Sequence, residues 1–290
     1  MEPYLFSSIN TFVTDPLSHD FMRKALFMSC LVAAVCGFLS SFLTLKGWAL
    51  MGDAVSHSVM PGVVVAYALG LPFSLGAFIF GVGSVALIGF VNQNSRVKED
   101  TVIGLVFTGF FALGIVLVSK IKSNIDLHSI LFGSPLGISL SDVKQTVLIS
   151  LLVVILLSVF RKDLMLYCFD PRHAKTVGIN VLFLHYLLLT CLSLAAVVGL
   201  QTVGIILVVA MLITPGATAY LLTDQFDNMT IISVLSAIIS SVIGIYCSFW
   251  FDLETGGSIV LAQTFIFLFA FLFAPRYGIF KFRKIFSNYK

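Results

Sequence analysis

The sequence predicts an all-α protein, a polytopic transmembrane bundle of eight to nine helical spans, and three observations carry that prediction. Of its 290 residues, 59% are hydrophobic and only 11% are charged, and the mean hydropathy is +1.05; a water-facing chain does not have this composition. The apolar residues gather into runs close to the roughly 20 residues that a helix needs to cross a bilayer. Charged or Gly-, Pro- and Asn-containing breaks separate the runs. Lipid cannot satisfy open backbone groups, so each run is expected as a helix.

Residues 1–24 contain Glu2, Asp15, His19 and Asp20 and no continuous apolar stretch. They do not read as a cleavable leader and are expected to lie at the membrane surface. The membrane-spanning body covers 25–274. Its candidate crossings are Ala25 to Leu45, Trp48 to Leu69, Phe73 to Val91, Val102 to Ser119, Val143 to Phe160, Val181 to Leu200, Val203 to Leu222, Ile231 to Phe251 and Gly257 to Phe273. The piece from Ile125 to Ile138, with Pro135 between Gly133 and Gly137, is too short and broken to cross, and is expected as a re-entrant or surface segment. Residues 275–290 form a basic tail.

Lysine and arginine placement sets the orientation. With the N-terminus outside and nine crossings, the cytoplasmic side holds Lys46, Arg96, Lys98, Arg161, Lys162, Arg172, Lys175, Arg276, Lys281, Arg283, Lys284 and Lys290. Arg23, Lys24, Lys120, Lys122 and Lys144 stay outside. An eight-span form with the N-terminus inside is the alternative, and both place residues 161–180 and the tail in the cytoplasm.

The net charge is +3, which gives no basic surface for nucleic acid. The five cysteines form no CxxC pair and sit mostly inside apolar runs, so they read as small core residues. There is no phosphate loop, HExxH, GxSxG or dinucleotide fingerprint. Work driven by ATP therefore needs another chain. Gly256-Gly257-Ser258 lacks a histidine at comparable depth, which disfavours a serine nucleophile.

Chemistry concentrates in one helix. Of the fourteen acids only Asp53 falls inside a predicted span, and His57 follows four residues later on the same helical face. An ionisable group within the membrane is costly and marks function by default. A carboxylate oxygen and an imidazole nitrogen suit a divalent first-row metal, but two donors do not fill a coordination sphere. Two copies of the chain on a two-fold axis would supply four. The plain alternative is a local pair, or hydrogen bonds to Ser56 and Ser58. His185, in the sixth predicted span, reads as a packing or helix–helix hydrogen-bonding residue.

Two further features recur in the reading. Pro61-Gly62 and Pro215-Gly216 interrupt two apolar segments and are each followed by small residues and a Tyr, an echo that points to a transport path framed by Pro61, Gly62, Thr214, Pro215 and Gly216. Between the fifth and sixth spans, Asp170 suits an N-cap, Pro171 the first helical position and Gly178 the C-terminal end, which predicts a short surface helix over about 169–179.

The run Leu50-Met-Gly-Asp-Ala-Val-Ser-His-Ser-Val-Met-Pro-Gly62 resembles the signature of the membrane subunits of the manganese/zinc/iron ABC importers. Glu99 to Phe107, Ile130-Leu-Phe-Gly133, Phe169 to Gly178, and Val203 to Leu207 with Thr214-Pro-Gly216 resemble the same family in order, over roughly Phe21 to Pro275. His128 to Ser139 looks most like the chelated-iron and manganese permeases of Gram-negative bacteria. The resemblance implies a homodimeric, multi-pass permease of the bacterial inner membrane. A periplasmic solute-binding protein would feed it, and a cytoplasmic ATP-binding-cassette ATPase dimer would drive it. It implies a metal-gating role for Asp53 and His57, and ATPase coupling through the helix of Asp170, Pro171, Ala174 and Gly178. No resident cofactor is implied; the cargo is Mn²⁺, Fe²⁺ or Zn²⁺. Against this stand an ion-driven secondary metal carrier, for which one intramembrane acid is a thin supply, an intramembrane enzyme, and a permease for large chelates.

Overall fold

The computed structural model describes residues 14–120, 140–274 and 278. The piece from Ile125 to Ile138, the His128 to Ser139 motif and most of the tail lie outside them. The described residues form α1 (Asp20–Lys46), α2 (Ala49–Leu69), α3 (Phe73–Asn94), α4 (Glu99–Lys120), α5 (Leu140–Val159), α6 (Arg161–Phe169), α7 (Pro171–Thr176), α8 (Val181–Val203), α9 (Ile205–Leu222), α10 (Phe226–Phe251) and α11 (Thr255–Phe273).

Every predicted crossing is helical. Length and apolarity alone qualify six helices as spans, α1, α3, α4, α8, α10 and α11, or seven if the bent pair α5–α6 counts as one. That is fewer than the expected eight to nine, and the difference has a physical cause. Helix α2 carries Asp53, His57 and Pro61, and α9 is short; the interruption expected at Pro61 and Pro215 is not found, since both helices run on through their proline.

The boundaries follow local chemistry. Gly47 and Gly70, with φ of 76° and 68°, close α1 and α2 in the left-handed region. There the amides of Trp48 and Leu71 reach back to the carbonyls of Leu43 and Ala66 at 2.9 Å each. The break expected near Gln201 is displaced: α8 runs on to Val203, and the chain turns at Gly204 alone, with φ 85° and ψ 164°. Only glycine occupies that region readily. At Phe160 the chain bends by 70° into α6, a helix not foreseen within residues 161–169.

Packing divides the helices into two groups. Helix α2 lies against α3 and α4, while α1, α9 and α10 pack on one another and α11 packs on α9 and α10; α8 touches α1, α2, α3, α5 and α9. Close approach depends on small residues, as expected where lipid removes the hydrophobic drive between helices. At the α1–α10 seam the Ser233 hydroxyl donates to the Gly37 carbonyl at 2.6 Å. Leu105, Leu148 and Phe265 are all at least 67% exposed, the outward apolar surface of a lipid-facing bundle.

Candidate metal site

Helix α2 places Asp53 and His57 one turn apart, with Asp53 Oδ1 3.3 Å from His57 Nε2. Their side chains are 35% and 20% accessible, so the pair faces an open side of the single chain. The flanking Gly52, Ala54, Val55, Ser56 and Ser58 are buried, and the hydroxyls of Ser56 and Ser58 donate back to the carbonyls of Gly52 and Ala54 at 2.8 and 2.6 Å. Those serines are satisfied by the helix backbone and do not bond to the pair. His57 Nδ1 is buried without a hydrogen-bond partner.

Helix α4 fixes the imidazole. Phe107 and Phe111 meet the His57 ring edge-on at 5.1 and 5.2 Å and stack on each other at 6.0 Å. These two phenylalanines escaped the sequence reading, although their four-residue spacing places them on one face of α4. Ring contacts restrict the imidazole's tilt without using either nitrogen. Among the described residues no group of three or more His, Cys, Asp or Glu could hold a metal. The described residues of one chain thus bring together a carboxylate and an imidazole and no third such donor.

Pro61, one turn beyond His57, cannot donate to the His57 carbonyl. Gly114 of α4 approaches Pro61 so closely that a Cβ there would lie 3.3 Å from the proline Cδ. Gly62 crosses Gly76 of α3, and a Cβ on Gly62 would fall 2.2 Å from the Gly76 carbonyl oxygen. Thr214, Pro215 and Gly216 sit in α9, which meets α2 where Gly52 abuts Leu212. The Gly216 amide donates to Ser40 Oγ at 2.8 Å, and Ser40 in turn donates to the Ile213 carbonyl at 3.2 Å. Gly62 and Gly216 are therefore contact points at helix crossings that set where α2 and α9 lie.

The short helix α7 is built as its caps dictate. Asp170 Oδ1 accepts from the amides of Arg172 and His173 at 2.9 and 3.0 Å, Pro171 takes the first turn, and Ala174 is fully buried. The amide of His173, joined by that of Arg172, holds the Asp170 carboxyl below the usual carboxylate range. Gly178, with φ 88°, ends the segment, and the Ile179 amide returns to the Ala174 carbonyl at 3.1 Å. Phe169 and Val177, 77% and 59% exposed, flank α7 as an uncovered apolar surface. His185 is distant from these roles: its Nδ1 pairs with Tyr167 Oη at 2.9 Å and its ring meets Trp48 edge-on.

A model of the family described as ABC 3 transport family matches residues 18–274. The chain belongs to that family. It is 53% identical to the manganese transport system membrane protein MntB of Synechocystis over 92% of this chain and 87% of that one. It is 46% identical to the chelated iron transport system membrane protein YfeD of Yersinia pestis over 90% and 88%. The structure superposes on PsaBC from Streptococcus pneumoniae, solved in complex with a Fab, with a TM-score of 0.85 and 39% identity over 95% of this chain and 99% of that one. Membership accounts for the multi-pass bundle and makes the chain a transport subunit.

Proposed function

We propose that this chain is the permease subunit of an ATP-driven importer that carries divalent transition metal ions, Mn²⁺ or Fe²⁺, across the bacterial inner membrane. The observation that carries the proposal is the Asp53–His57 pair on the open face of α2, in a chain whose relatives are named for manganese and chelated-iron transport. Donors of this kind also accept Zn²⁺. Two copies of the chain on a two-fold axis near α2 would bring two carboxylates and two imidazoles together, and Phe107 and Phe111 would hold each ring in place. The ion passes between the subunits there, and the positions of α2 and α9, set by Pro61, Gly62, Thr214, Pro215 and Gly216, define the width of the passage.

ATP hydrolysis belongs to a separate ABC ATPase dimer seated on the cytoplasmic face, and a periplasmic solute-binding protein delivers the metal. The ATPase engages α7, whose cap at Asp170, buried anchor at Ala174 and stop at Gly178 make it a rigid element. This coupling role has a direct test. A Cβ at Gly178 meets nothing within 4 Å, so the cost of Gly178→Val lies in the left-handed backbone alone, about 1–3 kcal/mol. In proteoliposomes with the partner ATPase, Gly178→Val is expected to hydrolyse ATP while transporting little metal. Gly178→Asn, which tolerates the same backbone region, should transport normally. Full transport by the valine variant would remove α7 from the coupling path.

A further inference from the structure

Gln263 is a polar amide in the middle of the apolar helix α11. It is 3% exposed, and neither its Nε2 nor its Oε1 has a hydrogen-bond partner. The hydroxyls of Ser241 on α10 and Ser29 on α1 are fully buried and equally unanswered. Lipid offers no partner either, and a buried polar group left unbonded costs more than a made bond returns. All three lie on helices other than α2, which carries Asp53 and His57.

Packing brings them to one level. Helices α10 and α11 run antiparallel on either side of the turn at 252–254, and they touch where a Cβ on Gly244 would fall 2.4 Å from Ile259 Cα. One turn from that contact, in opposite chain directions, stand Ser240–Ser241 and Gln263. Helices α1 and α10 are antiparallel too, since Ser233 donates to the Gly37 carbonyl at 2.6 Å and Thr230 to Ser41 Oγ at 3.4 Å. The same offset sets Ser241 against Ser29 and Cys30, and Ser29 continues the buried row Ser41, Gly37, Ala33 on α1. From the shared end of the bundle, where α1 and α11 begin and α10 ends, each orphaned group lies about 12–15 Å deep, close to the middle of a bilayer.

An amide brings two donors and an acceptor oxygen, and each hydroxyl brings one donor and its lone pairs. These groups answer one another in a single chain: Ser29 donates to Ser241 Oγ, Ser241 donates to Gln263 Oε1, and Gln263 Nε2 donates to Ser240 Oγ. The proton of Ser240 already goes to the Ala237 carbonyl at 2.9 Å. We infer that these side chains form an interhelical latch with two arrangements, the unbonded one described above and a closed one in which this chain of hydrogen bonds is made. Closing takes side-chain rotation and a small approach of α11, which packs on α9 and α10 and turns Leu261, Phe265 and Phe269 outward. The backbone contact of Gly244 with Ile259 is the pivot. Because α11 also lies on α9, the latch sets where α9 stands, independently of what passes at Asp53 and His57.

Thermal unfolding of the full-length protein in detergent separates a latch from permanently unbonded groups. An amide that never bonds only destabilises, and Gln263→Leu would then raise the midpoint. With the latch, Gln263→Leu and Ser241→Ala should each lower it by a few degrees, and the double variant should fall by clearly less than the sum of the two. Leucine is favoured in a spanning helix, so the variant still inserts. The two arrangements are read from spin labels at the lipid-facing positions Phe27 and Phe265, 56% and 67% exposed, with the native cysteines replaced by alanine. Two separations are expected in that parent and one in its Gln263→Leu variant. A raised or unchanged midpoint, strictly additive losses, or a single separation shared by parent and variant would overturn the latch.

Discussion

Asp53→Asn and His57→Ala are each expected to abolish metal uptake while the permease still inserts and still binds its ATPase. Asn keeps the size of Asp but removes the charge that attracts a divalent cation, and Ala removes the nitrogen donor outright. Among the described residues one chain brings only these two donors together, so either change in a symmetric pair removes half of the proposed coordination set. The loss should exceed the roughly 10–100-fold that follows removal of an outer-shell partner. Neither residue anchors the fold, because both side chains remain partly accessible and the neighbouring serines bond to the backbone. Uptake of radiolabelled Mn²⁺ and Fe²⁺ by cells expressing each variant is the measurement. Wild-type rates in both variants would reduce the pair to a local contact.

Gly62→Val is expected to destabilise the fold strongly, because it places a side chain where two backbones cross. Its Cβ would meet the carbonyl oxygen of Gly76 at 2.2 Å, and a Cβ on Gly76 would meet the Gly62 carbonyl at 2.1 Å. Both obstacles are backbone, so relief requires α2 and α3 to separate. Overpacking typically costs about 1–3 kcal/mol, and here a flexible side chain cannot absorb it. Separation would also shift the turn that carries His57. Gly83→Ala on α3 is the control, since nothing lies within 4 Å of a Cβ there. Thermal unfolding of the purified chain in detergent, followed by size-exclusion chromatography, should show a lowered midpoint for Gly62→Val and none for Gly83→Ala. Equal midpoints would mean that the crossing is looser than its geometry states.

Much of the bundle was legible because a membrane enforces a simple code: apolar runs of fixed length must be helices. Asp53 and His57 stood out for the same reason, as a charge and an imidazole in a setting that excludes both. Asp170, Pro171 and Gly178 were legible as caps, since capping is local chemistry. Tertiary geometry was not legible. The 70° bend at Phe160 is marked by no proline or glycine. The turn at Gly204 lies two residues beyond the gap expected between Leu200 and Val203, because a single glycine inside an apolar run does not by itself mark a break. Phe107 and Phe111 were hidden among 28 phenylalanines, most of which serve only as bulk. Pro61-Gly62 and Pro215-Gly216 suggest interrupted helices, but α2 and α9 are continuous there, and each glycine instead allows a close crossing, with α3 and α1 respectively.

In the proposed function ATP, and not an ion gradient, drives metal through the Asp53–His57 site. Its most direct test is radiolabelled Mn²⁺ uptake into proteoliposomes holding the permease, its partner ATPase and the solute-binding protein, with ATP and a proton or sodium gradient supplied separately. Uptake should require ATP, proceed without a gradient and vanish in Asp53→Asn. Uptake driven by the gradient without ATP or the ATPase, or ATP-driven uptake undiminished in Asp53→Asn, would contradict it.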